Sequence, residues 1–166
     1  MNRIKLRTYE LLVEPPEGDR LANGISIGIL ILILTNVIVS VSQTIPSLDR
    51  AYPEFFFYFE LFSVVIFTIE YVGRLWACTI NPRYAGFFKG RLKAASEPMA
   101  IIDFVAIAPF YLQVLVPGLD LRFVRALRLF RLFRVFKVGR YAESFTILVN
   151  VIKGKKEELA ISTAIV

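Results

Sequence analysis

The chain has 166 residues, 56% of them hydrophobic, and its apolar runs approach the ~20 residues that cross a bilayer, so an integral membrane domain is predicted instead of a soluble fold. The formal net charge is +6, but the excess lies mostly in the N-terminal stretch and in basic loops, so charge alone is a weak argument for nucleic-acid binding. Histidine is absent and Cys78 is the only cysteine, which excludes a disulfide framework and the usual zinc cluster.

The first predicted elements are a short interfacial helix and a spanning helix. Within residues 1–22, "IKLRTYELL" places apolar residues at helical spacing before a pair of prolines, as in a helix that lies on the membrane surface. The apolar run from Gly24 to Val41 is long enough to span the bilayer, so it does not resemble a cleaved signal peptide. Pro46 and Pro53 then interrupt any continuous helix.

Three further apolar segments complete a predicted bundle. The second runs from Phe55 to Cys78, the third from Met99 to Val116, and the fourth covers residues 121–140. Only "PGLD" separates the last two, so they are predicted to form an antiparallel hairpin. The predicted fold class is an all-α membrane protein, an antiparallel bundle of four transmembrane helices with an N-terminal interfacial helix and a C-terminal amphipathic linker helix.

Basic residues crowd one set of loops. They are Arg3, Lys5, Arg7, Arg20, Arg83, Lys89, Arg91, Lys93, Lys153, Lys155 and Lys156. These residues precede the first segment, connect the second to the third, or follow the fourth, and the positive-inside rule places such loops in the cytoplasm. We therefore predict a multi-pass protein of the cell membrane with both termini cytoplasmic.

The fourth segment, "LRFVRALRLFRLFRVFKVGR", carries a cation at every third position. The cations are Arg122, Arg125, Arg128, Arg131, Arg134, Lys137 and Arg140. A charge at the centre of a spanning helix costs roughly 2.5 to 3.5 kcal/mol on insertion, so partners inside the bundle are required. On an α-helix these cations would trace a slow spiral, and on a 3₁₀ helix one straight row. A basic amphipathic helix on anionic lipid or in a calmodulin-type protein is an alternative, although such helices mix spacings of three and four.

The candidate partners of these cations lie on the second and third helices. Glu60, Phe67, Glu70 and Arg74 fall within about 80° of one another on a helical wheel. Asp103 is the lone acid of the third apolar run, at about the depth expected for Glu70. Structural alternatives remain open: a wet interfacial position for Glu60, static salt bridges for the other two acids with Arg74 neutralising one of them, and an ordinary core position for Phe67.

These segments resemble a known family. "FELFSVVIFTIEYVGRLWAC", "IIDFVAIAPFY" and "RALRLFRLFRVFKVGR" are similar to the second, third and fourth helices of the voltage-sensor domain of voltage-gated potassium channels, and the short N-terminal stretch is compatible with a prokaryotic member. The resemblance implies that the seven cations are gating charges, with Arg122 an additional outermost one. It also implies that Phe67, Glu70 and Asp103 form a charge-transfer centre and that Glu60 is an outer countercharge. Many relatives carry an acid near the outer end of the first helix, where this chain has Gln43 or its neighbours.

The same resemblance implies a domain organisation. Residues 23–140 would be the voltage sensor, 141–156 an amphipathic linker toward a pore, and 157–166 the start of a fifth transmembrane helix at which the chain is cut. The expected partners are membrane lipids, with phosphates near the arginines of the fourth helix, and the pore domain of the same subunit in a homotetramer. We expect no cofactor, metal, nucleic acid, small-molecule substrate or catalysis.

Two related functions remain as alternatives. A voltage-gated proton channel would conduct through the sensor itself, but such proteins carry an aspartate in the first helix, and the run from Gly24 to Val41 contains no acid. The sensor of a voltage-sensing phosphatase would precede an enzyme whose Cys- and Arg-containing phosphate loop has no counterpart in this chain.

Overall fold

The computed structural model describes residues 3–16, 18–84, 86, 88–116, 127 and 130–141. These residues form helices joined by short connections, with no strand among them. Three of the helices are long and apolar enough to cross a membrane. The expectation of an all-α membrane protein is therefore confirmed.

The N-terminal residues form two helices. Helix α1 covers Arg3–Leu12 and helix α2 covers Arg20–Ser42. The carboxylate of Asp19 caps α2, accepting hydrogen bonds from the backbone N–H groups of its first turn at 3.0 and 3.3 Å, which satisfies donors that would otherwise lack partners. The predicted N-terminal helix and first span are both present.

An ion pair ties α1 to the start of α2. Arg7 Nη1 lies 2.6 Å from Asp19 Oδ2, and this hydrogen bond lowers the pKa of the Asp19 carboxyl and raises that of the Arg7 guanidinium. Helix α1 also packs against the helix Pro53–Ala77, where Gly73 leaves room for Leu12: a Cβ at Gly73 would lie 2.9 Å from Leu12 Cδ1. The N-terminal helix is thus docked on the bundle.

The predicted interruptions at Pro46 and Pro53 are confirmed. Helix α3 covers Pro46–Ala51 and helix α4 covers Pro53–Ala77, so each proline lies in the first turn of a helix, where its missing N–H costs nothing. Short 3₁₀ turns at Cys78–Ile80 and Pro82–Tyr84 continue α4 into the basic loop.

The third predicted span is helix α6, Pro98–Leu115, which follows a short helix α5, Lys89–Ala95, within the basic loop. Pro109 lies inside α6 and lacks the N–H that would complete the backbone ladder of that turn.

The described end of the fourth segment is a 3₁₀ helix, Arg131–Tyr141, here called the charged 3₁₀ helix. It packs mainly against α6 and α2. Its first residue lies beside Gln43 and Gln113, near the C-terminal ends of those two helices, and Arg140 lies beside Asp103, near the start of α6. The charged 3₁₀ helix therefore runs antiparallel to both.

A small apolar core holds the bundle together at mid-height. It consists of Ile29, Leu30, Ile33, Phe67, Ile107 and Tyr141. Arg122, Arg125 and Arg128, the link at 117–120 and the predicted linker and fifth helix beyond residue 141 lie outside the described residues.

Candidate functional site

The cations of the charged 3₁₀ helix form one straight row. Three residues make one turn of a 3₁₀ helix, so positions separated by three eclipse one another. Arg131, Arg134 and Lys137 are 7%, 1% and 1% exposed, and all four cations of the row, including Arg140, point into the bundle. Of the two arrangements that the spacing allowed, the straight row is present in the described part of this segment.

Two further rows complete the charged 3₁₀ helix. One contains Phe133 and Phe136 and is extended by Phe130, the residue just before the helix; these rings are 40 to 56% exposed and contact one another at centroid distances of 5.2 and 5.8 Å. The other contains Leu132, Val135, Val138 and Tyr141. Poorly aligned hydrogen bonds usually limit a 3₁₀ helix to three or four residues, so a run of eleven residues is unusually long. In this helix ion pairs at every third residue add contacts with the rest of the bundle.

The Glu60 cluster surrounds the first two cations of the row. Glu60 Oε2 lies 2.7 Å from Arg131 Nη1, and Glu60 Oε1 lies 3.2 Å from Arg134 Nη2. Arg134 also donates to Asn36 Oδ1 at 2.8 Å and to the carbonyl of Ala106 at 3.0 Å. Glu60 is 8% exposed, which argues against a wet interfacial position. One carboxylate thus serves two buried arginines with the help of neutral oxygens.

The Asp103 cluster surrounds the last two cations. Lys137 Nζ lies 2.8 Å from Glu70 Oε2 and 3.2 Å from Asp103 Oδ1. Arg140 Nη2 lies 2.8 Å from Asp103 Oδ2. Both carboxylates are almost completely buried, at 3% and 1% exposure. The structure therefore brings together Glu70 and Asp103, which the sequence places on different helices, around the same lysine.

Phe67 lies between the two clusters on α4. Its side chain is 0% exposed, and Lys137 Nζ lies over its ring, 4.3 Å from the centroid. Seven residues of α4 separate it from Glu60, or about 10 Å of helical rise, and three separate it from Glu70. The buried ring therefore lies between two pairs of cations, Arg131 with Arg134 and Lys137 with Arg140. Its face also makes a cation–π contact with the lysine.

Arg74 belongs to the Asp103 cluster. Its Nη2 lies 3.0 Å from Glu70 Oε1 and its Nη1 lies 3.4 Å from Asp103 Oδ2. Arg74 Nη2 also donates to the hydroxyl of Tyr141 at 2.7 Å, and that hydroxyl donates in turn to Glu70. The predicted ion pair of Arg74 is present, and it includes a tyrosine that the sequence analysis did not single out.

Several neutral partners complete the site, and of these the sequence analysis had named only Gln43, as the residue at a position where many relatives carry an acid. Asn36 lies within the first span and donates to Ser63 at 2.9 Å while accepting from Arg134. Gln43 and Gln113 accept from Arg131 at 3.2 and 3.3 Å. An asparagine inside an otherwise apolar span is itself a signal of a buried polar contact, because a spanning helix rarely tolerates an unpaired amide. The sequence offered this signal for Asn36 but none for the carbonyl of Ala106.

The arrangement is suited to moving charge. Burying a lone cation is costly, but each described cation of the row lies beside at least one buried carboxylate. A displacement of the row by one turn would replace each cation by its neighbour at either cluster. The site can therefore exchange ion pairs without leaving a buried acid unpaired.

Residues 23–160 match the family of ion transport proteins. The chain belongs to this family.

Individual relatives of this ion transport protein include voltage-gated potassium channels, which confirms the resemblance given above. The potassium voltage-gated channel subfamily KQT member 1 of Xenopus laevis is 32% identical over 104 residues, 63% of this chain and 16% of that protein. The human protein of the same name is 30% identical over 104 residues, 63% of this chain and 15% of that protein.

A bacterial relative covers more of the chain. A Rhodopseudomonas palustris protein named as a candidate potassium channel is 27% identical over 156 residues, 91% of this chain and 36% of that protein. The chain thus spans about a sixth to a third of the length of these relatives. The family match and the named relatives point to ion transport.

Proposed function

We propose that residues 23–140 are the voltage sensor of a voltage-gated, potassium-type channel. The single observation that carries the proposal is the cation row itself. Arg131 and Arg134 contact Glu60 on one side of the buried Phe67 ring, while Lys137 and Arg140 contact Glu70 and Asp103 on the other side. The family match and the named relatives support the channel class.

The electric field supplies the driving force. Moving one elementary charge through a full membrane potential is worth about 2.3 kcal/mol per 100 mV, so three or four cations crossing at Phe67 would contribute several kcal/mol. A few kcal/mol is enough to invert a two-state equilibrium. Glu70, Asp103 and Phe67 act as the charge-transfer centre, where each step of the row exchanges one cation for the next. Glu60 pairs with the outer cations. Arg74 pairs with Glu70 and Asp103.

The described conformation corresponds to the depolarised position in this proposal. With both termini cytoplasmic, Glu60 lies on the outer side of Phe67 and Asp103 on the inner side. Lys137 occupies the charge-transfer centre and Arg140 follows it, whereas the remaining five gating charges precede it in the chain: Arg122, Arg125, Arg128, Arg131 and Arg134. Hyperpolarisation would then move the row inward and bring Arg134 to Glu70 and Asp103.

The output of the sensor would be a pore. Residues 141–156 would form an amphipathic linker that passes the motion to the pore domain of the same subunit, and four subunits would assemble around that pore. Residues 157–166 would begin the fifth helix. Lipid phosphates near the arginines of the fourth segment would be further partners. The names of the relatives support potassium as the transported ion.

Charge-displacement recording of the chain in a planar bilayer tests the proposal. We expect a transient current whose integral saturates with voltage, and a shallower charge–voltage curve after Arg134→Gln. The matched control is Arg83→Gln, which removes an exposed arginine of the basic loop and should leave the steepness unchanged.

Two results would contradict the proposal. One is the absence of any saturating charge movement from well-folded protein, and the other is unchanged steepness in Arg128→Gln, Arg131→Gln and Arg134→Gln alike. A sustained current whose reversal potential follows an imposed pH gradient would favour the proton-channel alternative instead.

A further inference from the structure

We propose that Tyr141 is a register-selecting residue of the charged 3₁₀ helix: its hydroxyl holds Glu70 and Arg74 only in the position described here, and thereby favours that position over every inward one. This inference rests on the proposed function, because it concerns the equilibrium between positions of a voltage sensor. It assigns a role to a residue outside the gating charges and outside the charge-transfer centre.

The contacts of Tyr141 join the moving element to the fixed one. Its hydroxyl accepts from Arg74 Nη2 at 2.7 Å and donates to Glu70 Oε1. Glu70 Oε2 is at the same time 2.8 Å from Lys137 Nζ. Tyr141 and Lys137 thus attach the charged 3₁₀ helix to the same carboxylate of α4, one through a neutral hydroxyl and one through a charge.

The ring of Tyr141 is buried in the apolar core. The residue is 5% exposed and belongs to the apolar core with Phe67 and Ile107. Arg74 Cζ lies 5.5 Å from the ring centroid. The apolar contacts of the ring would survive the removal of the hydroxyl alone, so the hydrogen bonds can be tested separately from the packing.

The two rows respond differently to a step of three residues. When the charged 3₁₀ helix moves inward by one turn, about 6 Å, Arg134 takes the place of Lys137 and a cation still faces Glu70. In the other row, Val138 takes the place of Tyr141, and Val135 and Leu132 follow it. None of these aliphatic side chains can donate or accept a hydrogen bond. A step of one turn therefore leaves Glu70 paired with a cation, but it removes the hydrogen bonds that Tyr141 makes.

An inward step would break the two hydrogen bonds of the Tyr141 hydroxyl but not the ion pair between Glu70 and Arg74. Arg74 Nη2 lies 3.0 Å from Glu70 Oε1 within α4, so the acid and the arginine keep each other when the hydroxyl leaves. The described position thus carries an additional hydrogen bond to a charged group that no inward position can replace. Such a bond is worth roughly a tenfold factor or more in an equilibrium constant.

The experiment compares Tyr141→Phe with the unmodified chain by charge-displacement recording. We expect the ratio of outward to inward sensors at a fixed voltage to fall by about tenfold. For three charges this converts to a shift of the charge–voltage curve of about 20 mV toward positive voltages, at about 2.3 kcal/mol per charge per 100 mV. Total charge and steepness should stay the same, and the return of charge on repolarisation should be faster.

Tyr111→Phe is the matched control. Its hydroxyl bonds to Thr68 Oγ1 at 2.9 Å, which links α6 to α4 without touching the charged 3₁₀ helix. We expect no shift from this variant. An unshifted curve with full charge in Tyr141→Phe would overturn the register-selecting role while leaving the proposed function intact. Equal shifts in both variants would also overturn it, and an absence of charge movement in the unmodified chain would overturn both proposals.

Discussion

The Glu60 cluster and the Asp103 cluster both hold buried cations, but they do so with different oxygen atoms. The first offers two arginines one carboxylate and several neutral acceptors, among them Asn36 and the carbonyl of Ala106. The second offers three cations two carboxylates. A neutral acceptor attracts a cation less strongly than a carboxylate does. One bundle thus holds buried cations with two different sets of acceptors.

The largest expected effect comes from breaking the Asp103 cluster. In Asp103→Asn, three cations lose a carboxylate that is 1% exposed, and removing one partner from a buried ionic group typically costs about 3 to 5 kcal/mol. Thermal unfolding in detergent should show a large drop in Tm. Glu54→Gln, at an exposed acid in the first turn of α4, should change stability by no more than about 0.5 kcal/mol. Equal effects of the two variants would contradict this view of Asp103.

A smaller effect is expected from Glu60→Gln. Both this variant and Asp103→Asn leave an amide oxygen, but Arg131 and Arg134 also keep their neutral acceptors, so the loss should be about 1.5 to 3 kcal/mol, the value of a hydrogen bond to a charged group. The same unfolding measurement applies. A greater loss than in Asp103→Asn would reverse the contrast between the two clusters.

Asn36→Ala tests a neutral acceptor of the Glu60 cluster. The variant removes an acceptor of Arg134 and a donor to Ser63, both buried, and should cost about 1 to 3 kcal/mol. Thr35→Ala is the neighbouring control, since that hydroxyl bonds back to the carbonyl of Ile31 in its own helix. Urea unfolding of both variants measures their free energies of unfolding. An equal loss of stability in Thr35→Ala would contradict a stabilising role for the contacts of Asn36.

The smallest effect is expected outside the bundle core, at Asp19. Its folded pKa lies below the ordinary value of 3.8, so its ion pair with Arg7 stabilises the protein above that pH and the contribution disappears as the pH falls through the folded pKa. Asp19→Asn preserves the helix cap, because asparagine caps as well as aspartate. The variant should therefore be slightly less stable at neutral pH and equal to the unmodified chain in strong acid. A deficit that persists unchanged at low pH would contradict the ion-pair assignment.

The sequence predicted the charged members of the site because their cost is local. A cation inside an apolar segment requires an acid, and only Glu60, Glu70 and Asp103 stand at suitable depths. The interruption between the first and second spans followed from Pro46 and Pro53. The all-α membrane fold was predictable for the same reason, since apolar runs of sufficient length have few alternatives in lipid.

The remaining features depend on packing that no local pattern specifies. A period of three fits both a spiral on an α-helix and a row on a 3₁₀ helix, so the choice between them depends on where the acids lie in space. The carbonyl of Ala106 is a backbone group that every residue carries. Tyr141 follows the last cation and matches the many other aromatic residues of the chain, so only its contacts with Glu70 and Arg74 distinguish it.

The eclipsed rows of the charged 3₁₀ helix have a consequence for the geometry of its motion. An α-helix with cations three residues apart would have to turn by about 60° at each step to present the next one to the same acid. A 3₁₀ helix presents the next one by pure translation along its axis, with no turn at all. Phe133 and Phe136, which are 40% and 56% exposed, would then keep facing the same surroundings throughout the movement.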